Sequence, residues 1–93
     1  MGHIYNDYKE ISFTNTETNY VIGTEYGTDF RAESIMLQPD QNCKVRFNSS
    51  TAVQHYINQN DYVSFDLKVI KIFVVRDTAD GTLKLWAEGD IAV

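Results

Sequence analysis

Ninety-three residues, 43% of them hydrophobic and 13% aromatic, predict one folded domain over 1–93 with a modest core and exclude an intrinsically disordered chain. The formal charge of −5, with 8 Lys and Arg scattered among 13 Asp and Glu, argues against nucleic acid as a partner, since phosphate binding asks for a basic cluster on one face. Cys43 is the one cysteine, so no internal disulfide can form, and no apolar run approaches the roughly 18–20 residues of a membrane span.

The elements follow from hydrophobic period and turn residues. Residues 1–8 mix polar and aromatic side chains without a period and predict a flexible N-terminal arm. In 9–15, Ile11 and Phe13 alternate with Glu10, Ser12 and Thr14, the period-2 pattern of a half-buried strand. A second strand is expected over 19–27, with Gly23 marking a bulge or bend. In 30–38, Ile35 and Leu37 alternate with Ser34 and Met36, and Pro39 opens a turn over 39–42. The stretch 43–49 puts Cys43, Val45 and Phe47 on one face and Lys44, Arg46 and Asn48 on the other.

Strands are also expected over 52–57, 62–67 and 69–75, with a polar turn at 58–61. Asp80-Gly81 reads as a hairpin turn into a last strand over 83–89, in which Leu83, Leu85 and Ala87 point in and Lys84, Trp86 and Glu88 point out. No segment has helical periodicity. Seven or eight short strands in a meander predict an all-β, antiparallel two-sheet β-sandwich, of which the jelly roll is one form.

One strand carries too much apolar surface. In "DLKVIKIFVVRD" (66–77), alternation places Val69, Phe73 and Val75 with Lys71 on one side and Ile70, Ile72 and Val74 on the other. A sandwich strand has one inner face only. The second set therefore predicts cover from the arm or from another subunit, and Lys71 nominates Val69, Phe73 and Val75 for the partner side. Together with the arm's Tyr5 and Tyr8 and the outward Trp86, these residues form a candidate homo-oligomer interface. An outward Trp86 with Tyr62 nearby is also a candidate stacking platform for a glycan, which makes a carbohydrate- or receptor-binding module the alternative reading.

Chemistry-bearing constellations are sparse. His3 and His55 are far apart, no Cys or His falls at ligand spacing, and "DTADG" (77–81) lacks the ligand alternation of a calcium loop. Carboxylate pairs such as Asp7/Glu10 and Glu25/Asp29 carry no signal beyond solvated surface acids. Cys43 begins a strand on its apolar side, as a small core residue does. The expectation is a protein without enzyme activity, metal or cofactor.

The run "CKVRFNSSTAVQHYINQNDYVSFDLKVIKIFVVRDTADGTLKLWAEG" (43–89) resembles small β-sandwich proteins of tailed-bacteriophage particles. The likeness lies in the order "RFNS", "YVSFD", "VIKIFV", then a Gly-containing hairpin into "LKLWAEG". The resemblance implies a structural virion component, a capsid decoration, neck or tail module, assembled in the host cytoplasm as a homo-oligomer in contact with other virion proteins.

Overall fold

The computed structural model describes residues 5–23 and 30–91. They form eight strands and no helix: β1 (Tyr5–Phe13), β2 (Thr18–Val21), β3 (Phe30–Pro39), β4 (Cys43–Phe47), β5 (His55–Ile57), β6 (Val63–Phe65), β7 (Lys71–Arg76) and β8 (Gly81–Ile91). Two antiparallel four-stranded sheets result, ordered β1-β8-β3-β6 and β2-β7-β4-β5, here called sheets I and II. The expected β-sandwich is the observed fold.

The core lies where the period-2 residues of the two sheets meet. Sheet I contributes Ile11, Phe13, Ile35, Leu37, Leu83, Leu85 and Ala87, and sheet II contributes Cys43, Val45, Phe47, Ile57, Ile72 and Val74. Each fully buried Ile, Leu, Val or Phe among them stabilises the fold by about 1.5–3 kcal/mol. The His55 ring lies 5.5 Å from Phe47 of sheet II and 5.3 Å from Phe65 of sheet I and so links the two layers.

The connectivity differs from a meander. Only β4 and β5 are consecutive strands paired in one sheet; every other connection passes from one sheet to the other. The loop 77–80 is one such crossing, so Asp80-Gly81 is not a hairpin within a sheet. Arg76 Nη1 and Asp80 Oδ1, 2.7 Å apart, close that loop. Gly81 already belongs to β8, opposite Phe13. A Cβ there would lie 2.8 Å from the Phe13 ring and against the Asp40 carboxylate. Close packing, not a turn, demands the glycine.

The N-terminal expectation is corrected for residues 5–8. They are the first part of β1, with Tyr5 opposite Gly89 and Tyr8 opposite Trp86. Alternation was hidden there because an inward position is held by Asp7, a carboxylate. It is buried and satisfied, accepting hydrogen bonds from Tyr20 Oη at 2.6 Å and the Gly23 amide at 2.8 Å. The second strand ends at Val21, and Gly23 follows with φ 72°, the expected bend. The remainder of the predicted 19–27 strand, with Tyr26 and the Glu25/Asp29 pair, lies outside the described residues, as do His3 and the side chain of Tyr5.

Candidate binding face

The excess apolar surface of 66–77 has an internal explanation. Val69 pairs with Ala32 of sheet I, amide to carbonyl in both directions at 2.9 and 3.1 Å. One residue later the Ile70 carbonyl accepts from the Ile22 amide at 2.9 Å, and β7 then runs in sheet II. The chain changes layer at Ile70. An inward side chain from one layer and an inward side chain from the other point in opposite directions, so Val69, Ile72 and Val74 all reach the same core. Val69 is thus a core residue, not a partner-facing one, and Ile70 is exposed.

Phe73 and Val75 do lie on the outer side with Lys71, as alternation required. The Lys71 ammonium sits 5.5 Å from the centroid of the Phe73 ring. Arg46 is directly opposite Phe73 on β4 and is held by Glu17 Oε2 at 2.6 Å and by the Ala52 carbonyl at 3.1 Å. Phe73 is left 9% exposed. Neighbouring side chains of its own sheet cover it, where a second subunit was expected.

Asn48 holds this corner together. Its φ of 69° is left-handed, a conformation Asn tolerates better than most residues. From there Oδ1 accepts the Ile70 amide at 2.7 Å and Nδ2 donates to the Lys68 carbonyl at 3.0 Å.

On the outer face of sheet I the expected aromatic residues converge. Cross-strand register sets Tyr8, Trp86, Met36 and Ser64 in one row over β1, β8, β3 and β6. Tyr62, just before β6, joins from the side. The Trp86 ring lies 5.3 Å from Tyr8 and 5.8 Å from Tyr62, tilted by 46° and 31°. Tyr8 is 47% and Tyr62 62% exposed, while Trp86 between them is half-buried. Partial desolvation raises the pKa of the Tyr8 phenol, and the Glu10 carboxylate adds to the effect.

Polar rows run along both sides of this strip. Asn6, Glu88 and Ser34 form one, and Glu10, Lys84 and Gln38 form the other. Each side holds a shallow cleft. The first, about 280 Å³, lies between Asn6, Tyr8, Ser34, Met36, Trp86 and Glu88. The second, about 270 Å³, lies between Glu10, Gln38, Asp40, Asn60 and Lys84. Sequence reasoning joined Trp86 to Tyr8 in one candidate interface and to Tyr62 in a candidate stacking platform. Only the register shows them as one strip with polar margins.

Among the described residues, the candidate catalytic groups are not brought together in a comparable way. Asp7 points inward and Glu10 outward from β1, so that carboxylate pair is split between two faces. Burial pushes the Cys43 thiol up to about 12. Among the described residues, no three His, Cys, Asp or Glu side chains gather as metal ligands would. Also among them, no helix is long and apolar enough to cross a membrane.

Fold and face together define a small β-sandwich with an aromatic strip between polar margins on one outer surface. No protein-family profile and no curated protein matches the sequence. Among solved structures, the chain is similar to one from Bacillus endospore appendages, described as "a novel family of disulfide-linked pili". The superposition has a TM-score of 0.59 and 15% identity and covers 99% of this chain and 92% of the other. At that identity the likeness is one of fold.

Proposed function

We propose that this chain is a non-enzymatic structural subunit that works through contacts with copies of itself. The supporting observation is the fold likeness to the appendage protein, which spans nearly the whole of both chains. The strand orders 1-8-3-6 and 2-7-4-5 are those of two interlocked Greek keys, which supports the jelly-roll reading of the sandwich. A virion module is the finer version of the same role. Its support is the cadence of 43–89 alone, whereas the appendage likeness extends over the complete sandwich.

The manner of linkage differs from that of the neighbour. A disulfide-linked linear polymer needs reactive sulfur on both sides of each subunit. These 93 residues hold Cys43 alone, buried and with its thiol pushed up to about 12, so thiolate chemistry is suppressed. Non-covalent contacts are the proposed means of assembly. The free edges are poor templates for strand addition: β2, β5 and β6 are 4, 3 and 3 residues long. The long edge strand β1 turns the charged Asp7 inward, which blunts pairing with another chain. The segment around β5 is the better contact, since Val53 at 77% and Tyr56 at 70% are the most exposed large apolar side chains among the described residues.

Light scattering with detection of absolute mass tests the reading. Species above the monomer that survive dithiothreitol and shrink in Val53→Asp/Tyr56→Asp are expected. A strict monomer at all accessible concentrations would refute it.

A further inference from the structure

We infer that the outer face of sheet I is a binding site for a neutral oligosaccharide of flat, equatorially substituted pyranose units. Such a sugar is amphipathic in a particular way. Its ring faces present C–H groups, and its rim presents hydroxyls that donate and accept. The strip has the matching order, rings in the centre and hydrogen-bonding side chains on both margins. Tyr8, Trp86 and Tyr62 offer the aromatic faces. Ser34 and Glu88 flank them on one side, and Glu10, Lys84 and Gln38 flank them on the other.

Size and charge narrow the ligand. The two clefts of about 280 and 270 Å³ fall near the lower end of small-molecule sites, which run from about 300 Å³ upward. Each suits a sugar unit or two, with the chain of units lying across the central rings. The ionic groups of the strip and of the cleft beside it are Glu10, Glu88, Asp40 and Lys84, and the whole chain carries −5. Polyanionic glycans are disfavoured on both counts.

A protein partner fits this surface less well. Interface cores are depleted of Lys, Glu and Ser, and stable complexes bury about 800 Å² per partner. Here the exposed apolar strip is one residue wide, and Glu, Lys and Ser border it directly. A flat ligand one ring across meets the strip and both margins at once. This inference is independent of self-association, which was assigned to the opposite region around Tyr56.

Trp86 is the only tryptophan, so intrinsic fluorescence reports on this face alone. The experiment screens the protein on a glycan array of gluco-, galacto- and manno-configured oligosaccharides. It then titrates cellotetraose and chitotetraose, following fluorescence and heat. A saturable change in Trp86 emission is expected, at least tenfold weaker calorimetric affinity in Trp86→Ala, and weaker affinity in the surface variant Tyr62→Ala, whose fold is checked by circular dichroism. Tyr56→Ala, on the other sheet, should bind as the parent does. The inference is overturned if no array member and neither tetraose binds, or if Tyr62→Ala binds unchanged. It is equally overturned if Tyr62→Ala lowers the solution mass, because the strip would then be covered by protein.

Discussion

Replacing Asn48 with Ala should unfasten the corner at which the chain changes sheets. Two short hydrogen bonds go with the Asn48 side chain, one from the Ile70 amide at 2.7 Å and one to the Lys68 carbonyl at 3.0 Å, together with a long one from the Lys71 amide at 3.4 Å. Each of the two short ones contributes about 0.5–1.5 kcal/mol net. Ala must also hold φ at 69°, and left-handed backbone costs an ordinary residue roughly 1–2 kcal/mol. The sum is about 2–5 kcal/mol. For a domain of this length each kcal/mol lowers Tm by about 4–8 °C, so a drop of at least about 8 °C, and up to about 40 °C, is expected. Urea titration followed by Trp86 fluorescence gives the free energy. Hydrogen exchange at the Ile70 amide gives the locality, since its acceptor is removed. A loss below about 1 kcal/mol, or unchanged protection at Ile70, would show that Val69 and Ile72 hold the corner without Asn48.

Two further outcomes test the interior. Cys43 should be silent to a thiol reagent such as Ellman's at pH 8 in the folded protein and react fully in urea. Its folded-state pKa, raised from 9.0 to about 12, also sets a sign. Its contribution to stability is intact below pH 9, where both states hold the proton, and is lost as pH rises from 9 towards 12 because only the unfolded thiol ionises. Equilibrium unfolding of the parent and Cys43→Ala between pH 8 and 11 compares the two slopes, and the parent's should fall more steeply. Tyr20→Phe removes the hydroxyl bonded to the buried Asp7 carboxylate at 2.6 Å. A cost of about 1–3 kcal/mol is expected in urea unfolding, the penalty for leaving a buried acceptor without one of its partners.

Much of the sandwich could be read from alternation because most of its strands are regular. In 43–47 and 83–89 the inward and outward sets match the structure residue for residue, so Trp86 could be placed outside from its neighbours. Alternation failed where a strand was not what its letters suggested. Asp7 occupies a core position, so β1 looked like a patternless arm until its partners Tyr20 and Gly23 came into view. The run 69–75 looked like one two-faced strand because its letters do not mark the crossing at Ile70. The hydrogen bonds that define the crossing join residues far apart in sequence, Ala32 to Val69 and Ile22 to Ile70. The aromatic strip was half legible for the same reason. Its members could be named, but their adjacency is a matter of register between β1, β8 and β3.

The pairing of β1 with β8 places the first described strand against the last, from Tyr5 opposite Gly89 to Phe13 opposite Gly81. During synthesis on the ribosome, therefore, β1 has no neighbour in its sheet until β8 has been made. β3 likewise waits for β8 along its length. Sheet II, by contrast, gains its central β4–β7 pair and the β4–β5 hairpin from sequence already in hand. The order of manufacture favours sheet II forming first as a template, with sheet I closing over it when β8 arrives to separate β1 from β3. Binding by the aromatic strip would then begin only with that final strand, which brings Trp86 between Tyr8 and Met36.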